Sequence, residues 1–214
     1  MKGIAFDLET LPDIENIPPF DPADIKLGNV KDQVKIDAKI EEARIKYKEG
    51  LGKFALDPQF NLICCFGWCD GDNVGSILLD EKVGEQNLLV QIWDFLSQYD
   101  FFITFNGIEF DVPTLMLHSL FKKVRPAVQI STKKYTIGNH LDIRAVLTRW
   151  EKMAKGNMNF FLKRCLGRQK PEDIDGSMVQ HYWEVGMRDE VAKYCEGDAR
   201  DTWALYEHVR EYYL

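Results

Sequence analysis

Residues 3–10 constrain the fold of this chain more than any other stretch. Apolar residues occupy every second position, and Asp7 and Glu9 lie between them, which is the period-two pattern of a β-strand. Because alternate strand positions point to the same face, the two carboxylates project together. Neighbouring carboxylates repel each other unless a positive charge lies between them, and hard divalent cations prefer oxygen ligands. The pair is therefore a candidate metal site; the alternative is two solvated side chains where a strand ends.

The composition is that of an ordinary globular protein. The chain has 214 residues, 45% of them hydrophobic and 29% charged, and we expect one domain over residues 1–214. No apolar run approaches the ~20 residues that cross a bilayer, and the N-terminus shows no signal-peptide pattern. The five cysteines form no CxxC pair, so we expect reduced thiols rather than a disulfide frame or a zinc site. These features predict a cytoplasmic protein with no membrane partner.

The charge distribution points to a phosphate-bearing partner. The formal net charge is -7, which argues against binding nucleic acid by bulk attraction. Residues 119–170, however, carry 13 Lys and Arg against 2 Asp and Glu, in a chain that is otherwise acidic. A basic segment of this kind suits phosphates close to an acidic, metal-loaded site. The alternative is a solvated basic surface.

The order of periodic segments predicts an α/β fold. In chain order, the patterns indicate strands over 3–10, 61–68, 74–79, 101–104 and 141–143, and helices over 30–49, 85–99, 112–120, 145–150, 159–166, 177–185 and 189–214. We expect the first three strands to form an antiparallel meander and the fourth to lie parallel to the first. Residues 11–60 form a charged insertion whose prolines exclude a regular helix or a central strand near its start.

A third carboxylate follows the fourth predicted strand. An Asn-Gly pair allows a tight turn there, and Asp111 stands at the start of the next helix. Taken alone, Asp111 is an N-cap candidate. Loops that leave the carboxyl ends of parallel strands build sites in open α/β sheets, however, and the first strand ends with Asp7 and Glu9. The three acids are therefore expected to converge.

The predicted C-terminal helix supplies a fourth candidate acid. Tyr194 and Asp198 are four residues apart, so they lie on one helical face. Asp201 is also available, and the spacing alone does not choose between the two aspartates. Cys195 is expected to be a buried helix cysteine, with redox sensitivity as the alternative.

Together these segments resemble the three exonuclease motifs of the DEDD superfamily. The matching residues are Phe-Asp-Leu-Glu-Thr at 6–10, Phe-Asn-Gly-x-x-Phe-Asp-x-Pro-x-Leu at 105–115 and Tyr-x-x-x-Asp at 194–198. Tyr194 indicates the tyrosine subgroup, because Lys193 stands where the histidine subgroup has its histidine. The second and third motifs are most similar to the proofreading domain of family B DNA polymerases. No polymerase domain follows, so the chain resembles stand-alone relatives of phages and bacteria.

The resemblance implies a fold, a metal centre and a reaction. The fold is a ribonuclease H-like mixed β-sheet flanked by α-helices. Two Mg²⁺ or Mn²⁺ ions would be held by Asp7, Glu9, Asp111 and Asp198, and Tyr194 would orient the attacking water. The reaction is 3′→5′ exonucleolytic hydrolysis of single-stranded or frayed DNA to nucleoside 5′-monophosphates.

Several residues beside these motifs are candidate contacts for the DNA strand. They are Thr10, Leu11, Phe105, Asn106 and Phe110. For the two phenylalanines, a place in the core is the alternative. The first candidates for backbone phosphates are Lys122, Lys123, Arg125, Lys133 and Lys134, and the second are Lys163, Arg164, Arg168 and Lys170.

Two other functions stay open from the sequence. One is a 3′→5′ exoribonuclease resembling ribonuclease D, and the other is a catalytically silent nucleic-acid-binding polymerase accessory. The expected partners are the 3′ end of single-stranded DNA and a DNA polymerase or replication protein acting in trans. The expected location is the cytoplasm, or the host cytoplasm for a phage-encoded protein. DNA replication, DNA repair and nucleotide scavenging are all compatible with this reaction.

Overall fold

A mixed five-stranded sheet forms the centre of the computed structural model, which describes residues 2–170 and 175–214. The strands are β1 (Gly3–Pro12), β2 (Asn61–Cys69), β3 (Val74–Leu78), β4 (Phe101–Thr104) and β5 (His140–Asp142). In space they follow the order β3-β2-β1-β4-β5. β1, β2 and β3 are antiparallel, whereas β4 and β5 run parallel to β1. The predicted α/β class, the meander and the parallel pairing are confirmed.

Helices cover both faces of this sheet. They are α1 (Gln33–Gly50), α2 (Glu85–Leu96), α3 (Asp111–Phe121), α4 (Ile143–Leu147), α5 (Met158–Leu166), α6 (Val179–Glu184) and α7 (Arg188–Tyr212), with short 3-10 helices at Pro22–Asp24, Leu51–Leu56 and Gly176–Met178. Across the two described ranges, no helix combines the length and the apolar character that crossing a membrane requires.

The alternation along β1 sorts its side chains between two cores. Ile4 and Phe6 are completely buried and pack with apolar residues of α2 and α3 on one face of the sheet. Burial of each such side chain contributes about 1.5–3 kcal/mol. Ala5 packs on the opposite face with apolar residues of α4, α5 and α7. Asp7 and Glu9 follow Ala5 on that face, which puts the carboxylates on the α7 side of the sheet.

A glycine lets α7 approach the sheet closely. Gly67 pairs with Asp7 across β1 and β2. A Cβ atom at position 67 would lie only 2.6 Å from the backbone carbon and oxygen of Cys195 on α7. Contacts this short do not occur, so a side chain at this position would push α7 away from β1. Gly67 therefore sets how close the third motif comes to the first.

Several predicted boundaries were wrong, and three of them have a clear physical cause. β1 continues to Pro12, although the prolines were expected to exclude a central strand. β4 pairs with β1 only from Gly3 to Ala5, so the end of β1 has β2 alone as a neighbour and Pro12 can close the strand. α1 begins at Gln33 rather than at residue 30, because the Asp32 side chain caps it. Ile143 starts α4 instead of ending β5, because Asp142 caps that helix.

The charged insertion is anchored beside the end of β1. None of the residues of α1 is buried. The 3-10 helix that follows α1 is held by the carbonyl of Ala55, which accepts hydrogen bonds from Thr10 Oγ1 at 2.6 Å and from Asn61 Nδ2 at 2.9 Å. The insertion therefore meets the sheet directly after the first motif.

Replacing Gly67 with alanine tests the close approach of α7. We expect Gly67→Ala to lower the free energy of unfolding by about 1–3 kcal/mol, because the new methyl group overlaps the backbone of α7. The matched control is Gly197→Ala within α7, where a Cβ atom meets nothing within 4 Å. That change should raise the free energy of unfolding by roughly 0.5–1 kcal/mol, the usual gain of alanine over glycine in a helix. Urea denaturation measures both, and equal stability of the two variants would contradict the packing described.

Candidate active site

Asp7 and Glu9 lie side by side on β1, beyond the residues that pair with β4. One carboxylate oxygen from each residue and the Sγ atom of Cys195 all lie within 4.8 Å of one another. The pairing of β1 with β2 shifts by one residue directly after Glu9. Such irregularities turn a strand locally and occur next to active sites. The shared face predicted for the two carboxylates is therefore present.

Asp111 is fixed against β1 from the start of α3. Its Oδ1 atom accepts a hydrogen bond from the backbone N–H of Leu8 at 3.1 Å, and its side chain is buried. Leu8 lies between Asp7 and Glu9, so this bond places Asp111 beside both. The N-cap position belongs to Phe110, and the carboxylate of Asp111 is used to join α3 to the first motif.

Asp198 faces the same site from α7, whereas Asp201 on the same helix has a different ion-pair partner. The ammonium of Lys170 forms an ion pair with Asp198 Oδ1 and lies 5.2 Å from the centre of the Tyr194 ring. Asp201 is paired with Arg168, whose Nη1 atom lies 2.6 Å from Oδ1 of the aspartate. Lys170, a second-rank phosphate candidate in the sequence, is thus the cation that contacts the acidic site.

The pKa values show that the four acids act on one another. Burial raises the pKa of Asp7 well above its ordinary value, and repulsion from Asp111, Asp198 and Glu9 raises it further. Burial and then repulsion from Asp198 likewise raise the pKa of Glu9. Burial raises the pKa of Asp111 to about 7. The positive charge of Lys170 lowers the pKa values of Asp7, Glu9 and Asp198.

These residues fit a divalent-metal centre. Glu9 as a whole residue is only 9% exposed, and its carboxylate has no hydrogen-bond or ion-pair partner among residues 2–170 and 175–214. Buried carboxylates without partners are unfavourable, and they become favourable around cations. The donor set is rich in carboxylate oxygen, which Mg²⁺ and Mn²⁺ prefer.

Tyr194 is held in its protonated form. Burial raises the pKa of its hydroxyl above the ordinary value, and the negative charges of Asp198, Glu9 and Asp7 raise it further. The phenol therefore keeps its proton at neutral pH. It can donate a hydrogen bond to a water or a phosphate oxygen, and it is unsuited to act as a general base.

Asp142, which the sequence did not single out as structural, holds the loop of the second motif. Its carboxylate accepts hydrogen bonds from the backbone N–H groups of Asn106, Ile108 and Ala145 at 2.9–3.0 Å. Asn106 has a φ of 74°, a left-handed conformation that this bonding maintains. Its side-chain oxygen accepts a hydrogen bond from Arg144. In the sequence, the signal for Asp142 was its place within the short predicted strand over 141–143.

The five predicted substrate contacts differ in their surroundings. The Thr10 hydroxyl donates to Ala55 O, and Leu11 is 8% exposed and packs in the core, so its side chain offers little surface to a base. Phe105 and Phe110 are half-buried. Phe105 and Asn106 line an open groove of about 570 Å³. All five assignments stay predictions.

The basic segment is distributed over several surfaces. Lys122 pairs with the buried Glu85, and Lys134 pairs with Glu109 in the loop of the second motif. Lys123 and Arg125 line a separate cavity of about 480 Å³ that none of the four acids lines. Lys170 contacts one of the four acids, and the ranking of the phosphate candidates stays a prediction.

The comparison with protein families decides the relationship of this chain. Residues 62–212 match the family described as "Predicted 3'-5' exonuclease related to the exonuclease domain of PolB", which covers more than two-thirds of the sequence. The chain belongs to this exonuclease family. Asp111, Tyr194 and Asp198 lie in the matched range, whereas Asp7 and Glu9 precede it. The sequence matches no curated protein.

Solved structures show the fold over nearly the whole chain of this exonuclease-family member. The family B DNA polymerase of the hyperthermophilic archaeon Pyrobaculum calidifontis is similar, with a TM-score of 0.63 and 13% sequence identity. The similarity covers 97% of this chain and 24% of the polymerase. It confirms the predicted ribonuclease H-like fold. The chain spans about a quarter of the polymerase's length.

The raised pKa values predict a pH-dependent stability for the metal-free protein. A carboxyl whose folded pKa exceeds its unfolded value, near ~4, binds more protons in the folded state, so stability falls as pH rises between the two values. For Asp111 this range ends at about 7. In EDTA, the melting temperature should therefore fall by several degrees between about pH 5 and about pH 8.

Removing the charge of Asp111 provides the control. Asp111→Asn should show a smaller fall in melting temperature over the same pH range, because the asparagine does not titrate. Mn²⁺ should raise the melting temperature of the wild type more at the higher pH, where the carboxylates are charged. Parallel pH profiles for wild type and Asp111→Asn would contradict the assignment.

Proposed function

We propose that this exonuclease-family protein hydrolyses single-stranded or frayed DNA from the 3′ end and releases nucleoside 5′-monophosphates. The observation that carries the proposal is the convergence of Asp7, Glu9, Asp111 and Asp198: burial raises the pKa of each carboxyl, and the charge of Asp198 adds to this at the other three. The family match to 3′→5′ exonucleases supports the reaction type and its direction.

The metal requirement follows from the charge of this site. We propose that the four carboxylates hold two divalent cations, Mg²⁺ or Mn²⁺. When bound, such ions activate water and stabilise charge on a leaving oxygen. Without cations, the carboxylates repel a phosphodiester.

The other residues of the site have distinct roles in this proposal. Tyr194 donates its hydroxyl proton in a hydrogen bond and so orients the attacking water. Lys170 lies next to both Tyr194 and Asp198 and offers a positive charge to the phosphate that is cut. Asp142 acts through the loop, since two of its hydrogen bonds fix the backbone between Asn106 and Ile108.

DNA is favoured over RNA by the second motif. Its sequence resembles the proofreading domain of family B DNA polymerases, and the similar solved structure is a family B DNA polymerase. Phe105 and Phe110 in its loop are half-buried and can contact the terminal bases. The proposed partners are the 3′ end of single-stranded DNA and a DNA polymerase or replication protein in trans. The proposed location is the cytoplasm, or the host cytoplasm for a phage protein.

Exonuclease assays with site variants test the proposal. With Mn²⁺ or Mg²⁺, the wild type should shorten a 5′-labelled DNA oligonucleotide stepwise from its 3′ end. Asp7→Ala and Asp198→Ala should each lower the rate at least about a hundredfold, because each removes a charge that holds cations. The matched control is Glu196→Gln. Glu196 belongs to the same helix turn but accepts a hydrogen bond from Ser76 at 2.8 Å, so this variant should keep its activity.

The same assay separates the alternatives. Shortening of an RNA oligonucleotide alone would contradict the DNA assignment and support an exoribonuclease. Folded wild-type protein that shortens neither oligonucleotide, with either metal, would contradict catalysis and leave a nucleic-acid-binding accessory. Activity of Asp7→Ala equal to that of the wild type would contradict the placement of the site.

A further inference from the structure

A buried histidine joins the charged insertion to α3. His118 lies on α3 and is 2% exposed. Its Nδ1 atom lies 2.6 Å from Oε1 of Glu85 on α2, and its Nε2 atom lies 3.1 Å from the backbone oxygen of Pro58. Pro58 stands near the end of the insertion over 11–60. One side chain therefore holds three separate segments of the chain together.

Both partners of His118 accept hydrogen bonds. A backbone carbonyl such as that of Pro58 has no proton to give. The carboxylate of Glu85 already accepts the N–H of Ile63 at 2.9 Å, and Lys122 Nζ lies 3.5 Å from its second oxygen. Burial alone would raise the pKa of Glu85, but the hydrogen bond and charge of His118, the Ile63 N–H and Lys122 hold it below its ordinary value. Since both partners are acceptors, both ring nitrogens of His118 carry a proton, and the ring is an imidazolium.

A cavity of about 440 Å³ connects His118 with solvent. The charged groups that line this cavity are Glu85 from α2, Lys122 at the end of α3 and Asp13 after β1. The insertion contributes the neutral Gln59 to its wall, while Asp57 accepts the N–H of Gln59 within its own turn. Protons can therefore reach the imidazole without unfolding of the core.

We propose that His118 is a pH-dependent latch for the charged insertion, closed when the imidazole is protonated and open when it has lost one proton. Hydrogen bonds to charged groups are the stronger ones, so the proton between Nδ1 and the Glu85 carboxylate stays in place. The proton on Nε2 is the one that passes to solvent. A lone pair of the ring then faces the carbonyl oxygen of Pro58, and the hydrogen bond between α3 and the insertion is lost.

The latch acts close to the first motif. The carbonyl of Ala55, three residues before Pro58, accepts the hydrogen bond of Thr10 Oγ1 at 2.6 Å. Thr10 directly follows Glu9. The end of the insertion is thus fastened to β1 at Ala55 and to α3 at Pro58, and opening of the latch leaves the first of these contacts. The insertion thereby gains a regulatory role that does not depend on the proposed reaction.

Nitrogen NMR of the histidine rings tests the protonation state directly, because protonated and bare ring nitrogens resonate far apart. The full chain is labelled with ¹⁵N, and His118→Gln assigns the signals. In the wild type, both nitrogens of His118 should be protonated at about pH 6, and Nε2 should lose its proton as the pH rises towards about 9. A neutral ring at every pH overturns the proposal, and so does a ring that keeps both protons throughout.

Hydrogen exchange read by mass spectrometry tests the opening of the latch. After correction for intrinsic exchange rates, protection of residues 51–60 should fall by up to about tenfold per pH unit over the range in which His118 titrates. Protection of β4 serves as the internal reference for global unfolding. His118→Gln should show weak protection of residues 51–60 at every pH. The matched control is His181→Gln, which replaces an exposed histidine of α6 and should keep the wild-type profile.

A second variant checks the role of the ion pair. Glu85→Gln removes the negative charge beside the imidazolium, so the latch should open at lower pH than in the wild type. An unchanged exchange profile in folded Glu85→Gln overturns the proposal, as does wild-type protection of residues 51–60 that does not follow the titration of His118. Neither measurement uses DNA or hydrolysis, so loss of the proposed reaction leaves the latch intact, and loss of the latch leaves the reaction intact.

Discussion

The repulsion among four carboxylates beside the central strand β1 is the constraint on which the rest of the structure depends. Asp7 and Glu9 come from β1, Asp111 from α3 and Asp198 from α7. Burial raises the pKa values of all four, and repulsion from Asp198 raises those of Asp7, Glu9 and Asp111 further. A fold that holds such groups together loses stability at neutral pH in the absence of cations. Arrangements that cost stability in this way are typical of functional sites.

Three contacts between elements hold the carboxylates in place. Gly67 lets α7 approach β2 and β1, and without that approach Asp198 would not reach Asp7. The hydrogen bond from Leu8 N–H to Asp111 fixes α3 on β1. Asp142 fixes the loop before α3 through the backbone amides of Asn106 and Ile108. Each contact joins segments far apart in sequence, so the site depends on the complete sheet.

The sequence was sufficient for the parts of the site that local patterns define. Period-two alternation placed Asp7 and Glu9 on one face, and the strand before residue 105 placed Asp111 at the edge where β1 ends. The other features of the site depend on contacts between residues that are far apart in the sequence. Spacing could not separate Asp198 from Asp201, because the choice depends on Lys170 pairing with one and Arg168 with the other. The extension of β1 to Pro12 also depended on a partner, since β4 leaves that end of the strand free.

The direct test of the central claim is a crystal structure of the protein with Mn²⁺, using anomalous diffraction at the manganese edge. The account predicts anomalous peaks bound by Asp7, with Glu9, Asp111 and Asp198 as the other protein ligands. The same crystals of Asp7→Ala should lose these peaks. Peaks only at surface carboxylates, with the four acids ordered and unoccupied at saturating Mn²⁺, would contradict the account.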